Sequence, residues 1–149
     1  QRDLADMGRL EGLRDRIERE VLRITPAAVL IGRGAPRLAN TACIALPGQS
    51  AETLVIRLDL AGIAVSAGAA CSSGKVGASH VLAAMGLGAE MVRGAIRVSL
   101  GHATTDDDVA RFLTAWERMA SAMAVGSSNE AAAPVQRAPA ARVSRRGEA

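Results

Sequence analysis

Leu4, Met7, Leu10, Leu13, Ile17 and Val21 recur three and four positions apart among Arg, Asp and Glu. This spacing predicts an amphipathic helix with one apolar stripe, ending before Pro26. Such a stripe has to be buried against something else. Two short apolar runs bounded by turn residues follow, AAVLI (Ala27–Ile31) and TACIAL (Thr41–Leu46), with the loop GRGAPRLAN between them, and both read as strands. Ser50 is placed to cap a helix over AETLVIRLDLA, which Gly62 stops near Ala61. IAVS (Ile63–Ser66) and AIRVSL (Ala95–Leu100) read as two further strands. Ser79 is placed to cap a helix through Met85, and a second short helix follows across Glu90–Arg93. Thr105 followed by Asp108 predicts a capping box that opens a helix to about Ala124. The expected fold class is α/β, an α+β sandwich with a short sheet of about four strands covered by helices. It occupies one domain over residues 1–125.

Composition narrows the function classes. At 149 residues and 49% hydrophobic, the chain is long enough for one core and too short for two. No apolar run reaches the ~18 residues of a membrane span, and the charged, periodic start is not a signal peptide. Cys43 and Cys71 lie in unlike settings and do not form a disulfide framework, so a reducing, cytoplasmic compartment is expected. Four arginines against two glutamates after residue 125 account for two of the three net positive charges. The body is therefore nearly neutral, and with one Phe, one Trp and no Tyr it offers no basic, aromatic face for nucleic acid. Residues 126–149 lose all apolar periodicity in favour of Ala, Pro, Ser and Arg and read as a disordered tail. The chain begins with Gln inside the expected first helix, which suits a piece of a longer polypeptide.

The chemistry-bearing stretch is SAGAACSSGKVG (Ser66–Gly77). A free cysteine is commonly an inert core residue. Around Cys71, however, Ala69, Ala70, Ser72, Ser73 and Gly74 form a flexible run that no core requires, and a thiol there can reach an electrophile and hand the product on. Lys75, the sole lysine, lowers the thiol pKa only weakly from a flexible position. Cys43, between alanine and isoleucine, reads as core filler. Arg97, between Ile96 and Val98, either points to solvent or lines a pocket where its fork takes a carboxylate bidentately. His80 and His102 lie 22 positions apart without a second ligand pair, so no metal site is expected. The acidic run Asp106–Asp108 suits the positive end of a helix.

AGIAVSAGAACSSGKVGASHVLAAMGLG followed by IRVSLGHATTDDDV, with RLANTACIALPG upstream, resembles the C-terminal part of a cysteine desulfurase of the NifS/IscS type, a class V aminotransferase relative of PLP (pyridoxal 5'-phosphate) fold type I. The likeness runs from the first helix to about residue 124. It implies that Cys71 is the catalytic cysteine, which takes sulfur from L-cysteine as a persulfide and passes it to an acceptor or scaffold protein for iron–sulfur cluster assembly or thiolation. It implies further that Arg97 binds the substrate carboxylate, and that the bulk-free loop lets the sulfur swing from cofactor to acceptor. Any contact of Cys71 with a cluster iron is then transient and shared with the acceptor. Gly77-Ala78 stands where the family often has proline before the Ser-His pair, a departure that does not touch the chemistry.

In this family the PLP lysine, the partner of the pyridinium nitrogen and the phosphate cup all belong to an upstream large domain. Lys75 sits on the loop that has to move, four residues after the nucleophile, and is not the Schiff-base lysine. The expectation is a fragment that does not bind PLP productively alone and works in a full-length homodimer. A cofactor-free sulfur-accepting module, a truncated copy without function, and a selenocysteine lyase stay open as alternatives.

Overall fold

The computed structural model describes residues 2–68 and 84–130. The elements run α1 (Arg2–Ile24), β1 (Val29–Ile31), β2 (Thr41–Ala45), α2 (Ala51–Leu60), β3 (Ser66–Ala67), α3 (Ala89–Arg93), β4 (Ala95–Ser99) and α4 (Asp106–Glu130). The four strands form one antiparallel sheet in the order β1-β2-β4-β3. This is the mixed architecture expected, with two differences among the described residues; most of the helix expected from Ser79 to Met85 lies outside them. Ile63–Val65 approach the sheet without joining its ladder, which leaves β3 only two residues long. The helix expected to stop near Ala124 continues to Glu130, so its backbone runs past the expected domain boundary. The remainder of the expected tail lies outside the described residues.

Alternation along the strands divides the sheet into two unlike faces. Leu30, Ala42, Ile44, Ile96 and Val98 turn toward α1, α2 and α4 and join the principal core. Val29, Ile31, Cys43, Ala45 and Ala95 turn the other way, where α3 and Leu87 cover part of the face. Ile17, Val21, Ile44, Leu54, Leu58, Ile96, Val109 and Trp116 are fully buried. Each such side chain contributes roughly 1.5–3 kcal/mol relative to exposure, so the helical layer and the sheet stabilise one another. Trp116 stacks obliquely on Phe112 at 6.0 Å between ring centroids. Its indole N–H donates to Thr25 Oγ1 at 3.0 Å, tying α4 to the residue that follows α1.

The ends of the helices follow local chemistry. Ser50 Oγ accepts from the Thr53 amide at 3.2 Å and opens α2. At its other end Gly62 adopts φ +77°, and the amides of Gly62 and Ile63 return to the carbonyls of Asp59 and Leu58. That pattern is a Schellman stop, which favours glycine at the left-handed position. Thr105 and Asp108 form the reciprocal box: Thr105 Oγ1 accepts from the Asp108 amide at 3.2 Å, and Asp108 Oδ2 accepts from the Thr105 amide at 2.9 Å. Hydrogen bonds from the backbone and hydroxyl of Thr105 hold the Asp108 carboxyl below its ordinary range.

One charged contact lies inside. Glu18, only 2% exposed on α1, is gripped by both terminal nitrogens of Arg37, with Nη2 to Oε2 at 2.7 Å. Arg14, also buried on α1, donates to the Leu38 carbonyl at 2.9 Å. Together they strap the loop 32–40 onto α1.

Removing one partner of a buried pair leaves the other charge uncompensated, so Arg37→Ala is expected to destabilise the fold by roughly 3 kcal/mol, and Glu18→Leu combined with Arg37→Leu to recover most of that loss. Urea denaturation of the three proteins checks both values. Asp108 supplies a pH signature. Its folded pKa lies below the unfolded value of about 4, so its contribution is complete above that pH and is lost as pH falls through the depressed folded value. Asp108→Asn is expected to flatten the acid limb of a plot of melting temperature against pH, and an unchanged slope below about pH 4 would exclude the role.

Candidate functional site

The candidate site is built on the central β2–β4 ladder. Its register pairs Thr41 with Ser99, Cys43 with Arg97 and Ala45 with Ala95, while β1 pairs Ile31 with Cys43 and β3 pairs Ser66 with Arg97. Ile31, Cys43, Arg97 and Ser66 therefore form one row across all four strands, on the face away from the main helical layer. Cross-strand neighbours in such a row stand about 5 Å apart at Cβ, so the Arg97 side chain rises between a thiol and a hydroxyl.

Arg97 is exposed, and among the described residues its side chain makes no hydrogen bond or ion pair. The two sequence alternatives thus meet in one geometry: the guanidinium is on a solvent-facing surface, yet its stem stands in an apolar, small-residue row. No carboxylate shares that row. An unpaired planar fork on such a surface is suited to a ligand carboxylate, which it can grip with two parallel N–H···O bonds.

Cys43 is core filler as its sequence context suggested, but in the smaller cluster of the outer face and not in the principal core. It is half-buried on the outer face, packed with Ile31, Ala45, Val92 and Ala95. The reason is parity, because Ala42 and Ile44 take the inner positions and leave Cys43 on the other side. Burial pushes its thiol pKa up, and the charge of Arg97 opposes that shift.

Both ends of the ladder are clamped. Beyond Ser99, the Leu100 amide donates to the Asn40 carbonyl at 2.8 Å while Asn40 Nδ2 donates to the Leu100 carbonyl at 3.0 Å. At the other end the Leu46 amide donates to the Gly94 carbonyl at 3.0 Å. A Cβ on Gly94 would collide with the carbonyl oxygens of Leu46 and Gln49, so glycine is required there by contact rather than by backbone angle. Gly68 likewise sits against β4: its amide donates to the Ala95 carbonyl at 2.6 Å, and a Cβ would fall 2.8 Å from that oxygen. Asn40 and these two glycines were not singled out from sequence. The RLAN motif and the Gly that follows α3 were the available signals.

Cys71, Lys75 and His80 lie outside the described residues. The segment that carries them follows directly from Ser66–Gly68, on the strand edge beside Arg97. His102 is exposed on the loop before α4, where its backbone carbonyl accepts from Arg9 at 2.6 Å. Among the described residues no group of three or more His, Cys, Asp or Glu stands together to hold a metal ion, and no helix is long and apolar enough to cross a membrane.

The sequence pattern of the family described as Aminotransferase class-V matches residues 5–112. The chain belongs to that family. It is 44% identical over 108 residues to a cysteine desulfurase of Cereibacter sphaeroides, covering 72% of this chain and 28% of the relative. It is 36% identical over 104 residues to the cysteine desulfurase NifS of Azotobacter vinelandii, covering 70% of this chain and 26% of the relative. A solved NifS-like protein from Rickettsia africae superposes with a TM-score of 0.65 at 32% identity, over 76% of this chain and 28% of that one. The resemblance read from the cysteine loop is thereby borne out, and this chain spans little more than a quarter of the length of these relatives. PLP, implied by that resemblance, requires an amine, a partner for its ring nitrogen and a phosphate cup. The described residues of this class V chain contain no lysine, and the Arg97 row contains no acid. They fit a carboxylate, not the cofactor.

The coupling of Cys43 to Arg97 can be read directly. Burial sets the Cys43 pKa high and Arg97 holds it back, so Arg97→Gln is expected to move the pH midpoint of Cys43 alkylation upward. The check is the rate of iodoacetamide labelling against pH in a Cys71→Ser background. A midpoint that stays put or falls would separate the two side chains.

Proposed function

We propose that this chain is the small-domain part of a cysteine desulfurase, supplying the substrate-carboxylate arginine and the sulfur-accepting cysteine. The observation that carries this reading is Arg97: an exposed guanidinium, its side chain without a partner among the described residues, paired with Ser66 of the edge strand β3 that the Cys71 segment follows in sequence. The remaining length of the relatives is where the cofactor-binding residues are proposed to lie.

Arg97 takes the carboxylate of L-cysteine and so fixes the amino acid at one end. The Cys71 thiolate attacks the substrate sulfur; a sulfur–sulfur bond forms, the carbon–sulfur bond breaks, and a proton returns to the carbon. L-cysteine plus enzyme thiol thus becomes L-alanine plus enzyme persulfide, with atoms and electrons balanced. PLP, when bound, supplies the electron sink that makes the carbon–sulfur bond breakable. The terminal sulfur of Cys71 then passes to a thiol of an acceptor protein, for cluster assembly or thiolation. The unlike settings of the two cysteines favour a reducing cytoplasm as the place of work, and the family likeness favours a homodimer.

A second reading, a cofactor-free module that receives persulfide from another protein, is favoured by the absence of lysine among the described residues. The intact mass of the native polypeptide, captured from its source with an antibody to this domain, separates the two. A species much longer than this chain, releasing alanine from L-cysteine with PLP, supports the desulfurase; a species of this length lacking PLP absorbance supports the module.

In the desulfurase, Cys71→Ser is expected to lower alanine formation by roughly 10³-fold or more, as loss of a covalent nucleophile does. Persulfide on Cys71, read by mass spectrometry after a cysteine pulse, is the direct signature. Arg97→Ala removes a charge-assisted pair worth about 1.5–3 kcal/mol and is expected to raise KM for cysteine by roughly 10–100-fold. An unchanged KM removes Arg97 from the site. Turnover is also expected to fall as pH drops below the Cys71 thiol pKa, since only the thiolate attacks.

A further inference from the structure

On the far side of the sheet from Arg97, the C-terminal end of α2 and the flank of α4 leave a groove of about 460 Å³ between them. Its floor is apolar or small, from Ala61, Ile63, Ala110 and Ala115, and Arg111 and Arg118 stand along its α4 side. Arg57 lies one turn before Ala61 on the same flank of α2 and is exposed. Leu60, adjoining Ala61, is 83% exposed, and Ile56, one turn earlier, is 60% exposed.

Apart from Asp107, the acidic side chains described on these helices are directed elsewhere. Glu52 and Asp59 fall on the opposite flank of α2 by helical periodicity. Asp106 pairs with Arg16 of α1 at 2.9 Å, Asp108 is held in the Thr105 box, and Glu117 acts on Arg23 of α1. Asp107 is the one acid that shares the groove with Arg111 and Arg118 without such an engagement, and Asp108 also reaches Arg111 at a loose 3.7 Å. Charge is therefore segregated, with acids toward α1 or at the helix start and arginines along the groove.

We propose that this groove docks an acidic amphipathic helix of a separate protein. The occupant's apolar face lies on Ala61, Ile63 and Leu60, and its carboxylates meet Arg57, Arg111 and Arg118. A helix suits the groove because two neighbouring helices present a channel into which the ridge of a third packs. The arginine rim sets orientation and speeds encounter, and the apolar floor supplies the grip. Occupancy leaves the Arg97 face open, since the two surfaces lie on opposite sides of the sheet.

The test titrates the full chain with a fluorescein-labelled peptide of about four helical turns, leucine at three- and four-residue spacing and glutamate elsewhere, followed by anisotropy and by amide hydrogen exchange. Expected are saturable binding that weakens as salt rises, protection confined to the end of α2 and to α4, and a loss of roughly tenfold or more in Arg111→Glu/Arg118→Glu. A lysine version of the peptide is expected to bind that variant and not the parent. Because these arginines are exposed, circular dichroism should show the fold intact; Leu60→Ser supplies a second variant, uncharged, that must also weaken binding. No saturable binding, equal binding to the reversed-charge variant, or protection elsewhere overturns the proposal. Concentration-dependent dimerisation of the chain that Leu60→Ser abolishes would assign the groove to a second copy and overturn it equally.

Discussion

The antiparallel pairing of β2 with β4 is the contact on which both the core and the candidate site depend. Five residue pairs set the register, and every second residue turns to the same face. In this register Ala42, Ile44, Ile96 and Val98 enter the principal core and Cys43 and Arg97 face outward. A slip by one residue would drive the guanidinium into the helical layer and expose the isoleucines, a change no local adjustment could accommodate. Placing the arginine and filling the core are thus one act of folding. The clamps at the two ends, Asn40 on Leu100 and Gly94 under Leu46, oppose that slip from both sides.

The helical layer holds the ladder in turn. α1 contributes Ile17 and Val21 to the core, Trp116 of α4 reaches back to Thr25, and Arg9 donates to the carbonyls of His102 and Thr104 at 2.6 Å each. Arg16 meets Asp106 beside them. These contacts fix the turn 101–105, and with it the start of α4 and the end of β4. The Glu18–Arg37 pair acts on the same end of the sheet, where it orders the loop that delivers Asn40 to Leu100. A buried charge pair is weak evidence of net stability. Here its geometric consequence is specific: it connects the first helix to the loop from which β2 begins.

Much of this fold was legible because helices and caps are local. The stripe from Leu10 to Val21, the Ser50 cap, the Gly62 stop and the Thr105–Asp108 box all follow from residues within one or two turns of each other. What was hidden depends on residues far apart in sequence. Arg14 and Glu18 look like solvated positions on an amphipathic helix until Leu38 and Arg37 cover them. Cys43 looks like core because its neighbours are apolar, and only strand parity assigns it to the outer face. Ile63–Val65 have strand-like side chains, yet the stop at Gly62 uses the Ile63 amide to close α2 before pairing with β4 begins. α4 outlasts its apolar periodicity because the poor helix formers after Val125 extend a helix already nucleated, and propagation asks far less than initiation. For Arg97 the sequence posed the alternatives of solvent and pocket, and the sheet register places it in a row with Cys43 and Ser66 on the outer face.

The exposure of Arg97 carries a chemical consequence for the proposed activity. A guanidinium in water gains little from a carboxylate, because exchange with solvent offsets most of the attraction and salt screens the rest. The same pair becomes selective only when its surroundings are dried. The outer face carries a small apolar cluster, with Val29, Ile31, Ala45 and Ala95 packed under Val92 of α3 beside the row that holds Arg97. A second surface laid against that face would exclude water and strengthen the grip on a substrate carboxylate without altering any residue of this chain. Under the proposed function, substrate recognition would belong to the assembled enzyme, to which this chain would contribute a charge whose position the sheet register sets.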